Sequence, residues 1–369
     1  MVMRQRQRAG GKRGIAAALV AVAAMFSAAV LVFGFNTFQD NLGTVSAPVP
    51  VTARWNSMPV AWLLNPDTPA GNVATPGCLS GTPGACIQQP LSAGFTTWMN
   101  AQVAGQSLTN VNVSGPTSST LTDPVYNDCQ NVAGFSDTKS SDFSTGTIAF
   151  TQVSTVTRPS GSTGPFQYTC QSSGATKTCN FDDCMADADI EFNPSVQFTT
   201  SLSPPANTFS LQSVATHEEG HLLGLDHSGI GHTVMFPFGD SAAAGQQTTL
   251  ATDDAIGISD LYPSSNFSTA TGTISGTVIL SGAGVFGAHV VAVNANTGNA
   301  VTDGITALDG TYHLVVPPGI YHVLALPFSP NTDSGVLTID NFSGWLCGYG
   351  DSKCTTVPAN PTSYTGRYH

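Results

Sequence analysis

His217-Glu218-x-x-His221-x-x-Gly224-x-x-His227 is the stretch that most limits what this chain can fold into. Residues four apart on an α-helix lie one turn apart on the same face, so a helix lets His217 and His221 reach one ion. Gly224 can take a left-handed conformation and end that helix. The chain then turns, and His227 can close the site from another direction. Zinc accepts neutral imidazole nitrogens at about 2.0–2.1 Å in tetrahedral geometry, and three protein ligands leave one place open. Glu218 projects about 100° around the helix from His217, beside that open place. There a carboxylate can take a proton from a water whose pKa zinc has lowered to about 7, and return it to a leaving group. A single histidine is more often a surface or satisfied core residue, and HExxH alone has false positives. The joint spacing, within an apolar helical frame of Val214, Leu222 and Leu223, carries the reading.

Composition bounds the compartment and the class. At 369 residues the chain has room for about two domains. Charged residues make up 9%, against about 25% in an average soluble protein, while Gly (38) and Pro (23) are plentiful. That mix favours β-structure with many turns. The net charge is −12, and Arg4, Arg6, Arg8, Lys12 and Arg13 all precede the rest of the chain, which is more acidic still. An acidic body repels phosphate backbones and argues against a nucleic-acid partner. The basic start leads into an apolar run over 15–35, broken only by Ser27 and Gly34. This reads as an export signal that is also long enough to span a bilayer. Residues 1–35 are therefore expected to be a cleaved signal peptide or a membrane anchor, with the body outside the cytoplasm. All eight cysteines follow this segment, so disulfides are expected. Short loops favour Cys78 with Cys86 and Cys347 with Cys354.

Pattern and breakers divide the rest. A linker is expected over 36–50, a strand within 55–64, a Gly/Pro loop over 66–90, and a helix over 91–103 with Ser92 as cap. Short β-runs follow, including 146–153, 187–192 and 196–200. A helix is expected over 209–223 with Ser210 or Ser213 near its start, and another over 252–261 with Thr252 as N-cap. Asp253 and Asp254 suit its positive end. After a linker over 264–271, strands at 274–280, 288–293, 312–316 and 321–326 make a small all-β domain over 272–326. Asp309-Gly310 and Pro318-Gly319 supply turns. The tail over 327–369 holds Cys347 and Cys354.

The histidine motif resembles that of the metzincin zinc endopeptidases, and within them the matrixin family. Met235 in Val234-Met235-Phe236-Pro237 matches the methionine turn that floors the metal site in that clan. Gly220 and Ser228 fit the matrixin variant. The stretch 250–263 looks like the matrixin C-terminal helix, and Asp253 and Asp254 match its acidic pair. Residues 55–65 are loosely similar to the first strand. The resemblance implies a matrixin-like domain over 51–263 of α+β class, with a twisted, mostly parallel sheet and long helices. It also implies one catalytic Zn2+ on His217, His221 and His227, Glu218 as base and acid, and Gly224 as the helix-ending turn. A substrate strand would lie along a sheet edge. The segment 236–249 would wall its pocket, with Phe236 and Phe238 as pocket or core. His232 is not expected as a ligand.

Departures are equally clear. No long propeptide is visible, and Cys78 in Thr75-Pro76-Gly77-Cys78 matches no cysteine switch. Asp182, Asp183, Asp187, Asp189 and Glu191 offer oxygens to Ca2+, or make an acidic surface. The region 272–326 resembles the prealbumin-like β-sandwich modules of the carboxypeptidase-regulatory type. This implies a spacer, adhesion or substrate-positioning role, with no catalytic group in the module. The expected function is a secreted zinc endopeptidase acting on extracellular proteins or peptides. The alternatives are a surface adhesion protein with an inactive, structural zinc domain, and a zinc hydrolase acting on something other than protein. Cell-surface or matrix contact would run through the C-terminal domain, and membrane contact through residues 1–35 if uncleaved.

Overall fold

A mixed five-stranded sheet frames the first half of the molecule. The computed structural model describes residues 36–41, 50–65, 83–118, 124–135, 143, 146–159, 161–171, 173–239, 246–307, 309–328, 337, 342 and 367–368. Residues 1–35, Cys78, Cys347 and Cys354 lie outside them, so the export signal and the two favoured disulfides do too. Among the described residues no helix is long and apolar enough to cross a membrane.

A short antiparallel pair, β1 (Gln39–Asn41) and β2 (Pro50–Thr52), precedes β3 (Val60–Leu64) and the helix α1 (Pro83–Met99). Then come β4 (Val113–Ser118), β5 (Val132–Phe135), β6 (Ala149–Thr157), the hairpin β7 (Phe166–Thr169) and β8 (Thr176–Cys179), and β9 (Asp183–Phe192). The sheet order is β4-β3-β5-β9-β6. The pairs β3–β4, β3–β5 and β5–β9 are parallel, and β6 is an antiparallel edge strand. A short parallel pair, β10 (Phe198–Thr199) and β11 (Phe209–Ser210), leads into α2 (Leu211–Leu222). The helices α3 (Thr252–Leu261) and α4 (Phe267–Ala270) follow.

Several expectations are corrected. The first helix begins at Pro83, not 91, and runs through Pro90, so Ser92 is interior rather than a cap. The apolar stripe of Leu91, Phe95 and Trp98 continues upstream to Ile87, and all four are buried. An interior proline costs about 3 kcal/mol. Burying Ile87 alone contributes roughly 1.5–3 kcal/mol in the other direction. At 252–261 the helix starts where expected, but Thr252 is its first residue and Ala251 the cap, whose N–H donates to Asp254 Oδ2 (2.8 Å). The strand expected at 146–153 runs 149–157. The one expected at 187–192 starts at Asp183, and every residue in it is buried.

Neither expected linker is free chain. Asn36, Thr37 and Phe38 are buried. The Phe38 N–H donates to Gly224 O (3.1 Å), and the Asp226 N–H donates to Asn36 O (2.9 Å). Within 264–271, Ser264 N–H donates to Leu108 O (2.8 Å) and Phe267 is buried. Two disulfides that spacing did not single out, Cys129–Cys170 and Cys179–Cys184, staple the chain around β7–β9. Cys86 is also disulfide-bonded.

The remaining strands are β12 (Gly272–Thr277), β13 (Ile279–Leu280), β14 (Ala283–Gly284), β15 (His289–Asn294), β16 (Ala300–Ile305), β17 (Thr311–Val316), β18 (Tyr321–Leu326) and β19 (Arg367–Tyr368). The β12–β17 pair and the β16-β15-β18-β19 sheet enclose a second core of Val290, Ala292, Leu314, Val316 and Val323. The tail is not separate, because β19 pairs with β18. No strand was expected at β16, whose Asp303-Gly304 interrupts any strand pattern. Val315 and the half-buried Val301 pack into the first core, so the two halves touch.

Candidate metal centre

The helix α2 is fixed at both ends. Ser210 caps its start, its hydroxyl oxygen accepting from Ser213 N–H (3.4 Å). At its end Gly224 adopts φ +105°, which a residue with a Cβ rarely does. The Gly224 N–H donates to His221 O (2.9 Å) and the Leu225 N–H to Gly220 O (3.0 Å), the paired closure of a Schellman motif. Two further carbonyls of the last turn are taken by side chains. The Trp55 indole N–H donates to Leu222 O (2.7 Å), and the Tyr262 hydroxyl donates to Leu223 O (2.7 Å).

His217, His221 and His227 are brought together. The Nε2 of His221 lies 3.2 Å from that of His217 and 3.3 Å from that of His227. Four donors at zinc–nitrogen distances in a tetrahedron stand about 3.3 Å apart. His217 Nδ1 lies 2.7 Å from Val234 O, and His221 Nδ1 lies 2.8 Å from Leu225 O. A carbonyl only accepts, so these Nδ1 atoms carry the protons and leave each Nε2 lone pair facing inward. Burial pushes His217 down to about 4 and His221 well below the imidazole range, which keeps both rings neutral. Neutral imidazole is the form that binds metal. This donor set fits zinc.

Three supports surround the triad. The Thr151 hydroxyl on β6 donates to Glu218 Oε2 (2.7 Å) and also lies 3.0 Å from Glu218 O, tying the carboxylate to the sheet edge. Nothing in the sequence pointed to Thr151. Burial raises Glu218 to about 7, and the Thr151 bond opposes that rise. Met235 is buried beneath α2, so close to Gly220 that a Cβ there would collide with its sulfur. Asp254 accepts the Val234 N–H (2.9 Å) and the Met235 N–H (3.0 Å), pinning the turn to α3.

Glu219 points the other way, into the α1–α2 contact beside Gly94 and Thr216. It is fully buried, neither carboxyl oxygen has a hydrogen-bond partner, and burial raises its pKa well above 4.5. An unpartnered buried polar group costs roughly 1–3 kcal/mol. Glu219→Met, similar in length, is expected to raise stability by about that much in denaturant unfolding. The pH dependence has a definite sign. The folded chain keeps this proton where the unfolded chain has lost it. Stability therefore falls as pH rises above the unfolded value near 4.5, until the folded pKa is reached. Glu219→Met should flatten that fall, and an unchanged slope would rule the residue out as its source.

The acidic residues considered for calcium do not converge on one point, although Asp187 and Glu191 lie close enough to Asp189 to add to the rise that burial gives its carboxyl group. Asp187 Oδ2 accepts the Asn127 N–H (2.7 Å), and Asp189 Oδ1 accepts the Val132 N–H (2.8 Å). Glu191 accepts from the Tyr126 hydroxyl, and Asp182 pairs with Arg158 (2.5 Å). Among the described residues, the histidine triad is the one group of three or more metal-ligating side chains that converges. His232 is exposed and outside it. Phe236 and Phe238 are half-buried and pack edge to face at 5.6 Å, and residues 240–245 of the expected pocket wall lie outside the described residues.

Comparison with known proteins matches the segment that carries this site. Residues 165–263 match the family model described as Matrixin. Metalloendoproteinase 1 of Glycine max is 42% identical over 79 residues, which are 21% of this chain and 25% of that protein. Karilysin of Tannerella forsythia is 34% identical over 155 residues, 37% of this chain and 31% of its own. Metalloendoproteinase 5-MMP of Arabidopsis thaliana is 39% identical over 66 residues, 18% of each chain. The chain spans less than a third of the length of each of these curated relatives. The family match runs through the histidine motif, Met235 and α3, and over those residues the chain is similar to matrixins.

Proposed function

Starting from a matrixin-like segment over 165–263, we propose that this chain is an exported zinc-dependent endopeptidase cutting extracellular proteins or peptides. The observation that carries this is three imidazoles converging, with His221 Nε2 3.2 Å and 3.3 Å from its two neighbours, beside a carboxyl group held to a sheet edge. His217, His221 and His227 would hold the ion. Bound there, zinc would supply Lewis acidity to a carbonyl and bring a water's pKa to about 7. Glu218 takes the proton from the attacking water and hands it to the leaving amine. Thr151 aims the carboxyl group, and its hydrogen bond favours the ionised form that accepts a proton. Among the described residues no strand pairs with the outer edge of β6, so its main-chain groups could receive an extended peptide. The disulfides suit an oxidising compartment outside the cytoplasm. We take 51–263 as the catalytic domain and 272–326 as an accessory β-sandwich.

The test is a proteome-wide cleavage assay on the folded chain, with peptide and glycan libraries in parallel. Peptide-bond cleavage should stop with a chelator and return on adding zinc. Cleavage indifferent to chelation would end the proposal, and turnover of glycans alone would replace the substrate class.

A further inference from the structure

We propose that Asp303, on β16 of the C-terminal β-sandwich, is a positioning residue for the loop that carries His227. This rests on the zinc peptidase reading above and extends it to the accessory domain. Ser228 and Gly229 directly follow His227. The Gly229 N–H donates to Asp303 Oδ2 (2.7 Å), and the Ser228 hydroxyl lies 3.3 Å from Asp303 Oδ1. The Ser228 N–H donates to Met235 O (2.9 Å), so this short segment also ties to the methionine turn. Asp303 is itself held in place. Its N–H donates to Asp253 Oδ1 (3.1 Å), and His289 Nε2 lies 2.6 Å from its Oδ2. Phe328 stacks on the His289 ring at 5.4 Å and 14°. Asp303, Asp253, His289 and Ser228 are all buried. There is no room at Gly229 for a side chain, because a Cβ would run into His289 and Asp303.

A buried carboxylate is costly unless its oxygens are taken up by donors. Here two of the donors come from the metal loop itself, and His289 faces the oxygen that Gly229 bonds. From the opposite side the Asn36 amide donates to His227 O (2.9 Å). The third histidine is thus gripped between the start of the described chain and the accessory domain. The β-sandwich is in this reading a structural part of the metal site rather than a spacer.

The test compares full-length wild type, Asp303→Ala, Asp303→Asn, His289→Ala and Ile320→Ser. Ile320 is exposed at a turn of the same domain and serves as a control lesion. Zinc affinity is read by competition with a chromophoric chelator, and site geometry by the visible spectrum of the cobalt-loaded protein. Losing an outer partner of a metal ligand typically costs 10–100-fold in affinity. Asp303→Ala should therefore bind zinc about 10–100-fold more weakly and show an altered cobalt spectrum. At saturating zinc, kcat should fall while KM stays within about twofold, since the bound peptide is not touched. Asp303→Asn keeps an acceptor for Gly229 and should recover most of the affinity. If Asp303→Ala does not fold, His289→Ala carries the test, with a loss in the same direction. Unchanged zinc affinity in the folded variants, or an equal loss in Ile320→Ser, would overturn the positioning role alone. Failure of wild type to bind zinc would overturn the peptidase reading as well.

Discussion

Glu218→Ala is expected to keep its zinc and lose casein cleavage by about 10²–10⁴-fold, the usual worth of a general acid–base group. Retention of metal follows from geometry. Glu218 is not among the three converging nitrogens, and alanine suits a helix interior. The substitution strands no partner, because the Thr151 hydroxyl remains 3.0 Å from the carbonyl oxygen of residue 218. Burial also makes the carboxyl group uncomfortable, as its rise to about 7 records, so stability should not drop. Glu218→Gln, with the same shape and no basic oxygen, should be as inactive. Elemental analysis after dialysis and a fluorogenic peptide assay check the two halves of the expectation. Full activity in either variant would remove Glu218 from the mechanism.

His221→Ala should produce the opposite split, with metal and activity lost together. His221 is the middle donor, within 3.3 Å of both neighbours' Nε2 atoms. Structural zinc is worth roughly 10–16 kcal/mol over four donors, or about 3 kcal/mol each, so affinity should fall on the order of a hundredfold. The thermal shift that added zinc gives wild type should largely vanish, since that shift follows ligand concentration over Kd. A variant still holding one equivalent of zinc at low micromolar metal would show that the ion is bound elsewhere.

What the sequence made legible was local. Two histidines four apart, a glycine that can turn left-handed and a stretch ending at Pro263 were enough to place α2, α3 and the triad. The expected α2 was one or two residues too long at each end, because capping at Ser210 and the Gly224 turn are set by hydrogen bonds rather than hydropathy. What stayed hidden depended on pairing at a distance. Thr151 looks like any strand threonine until β6 lies over α2. The acids of β9 alternate with apolar residues and so suggest a wet face, yet they are buried, and the backbone of Asn127 and Val132 donates to Asp187 and Asp189. Asp303 precedes a glycine that interrupts any strand pattern, and it becomes a strand residue through pairing with Val291 of β15. Even the segment at 36–38, with its Asn and Thr, gives no sign that it will pair beside a metal loop.

That loop has a consequence for how the molecule comes into being. Asn36 and His227 are 191 residues apart in sequence, and Gly229 and Asp303 are 74 apart. Contacts so remote form slowly, because a large loss of chain freedom precedes any reward. A ribosome delivers residue 36 first and residue 303 long after the helix bearing the first two histidines. The loop's last anchor thus arrives 74 residues after Gly229, so a nascent chain carries its histidines for a time without the finished grip that holds them.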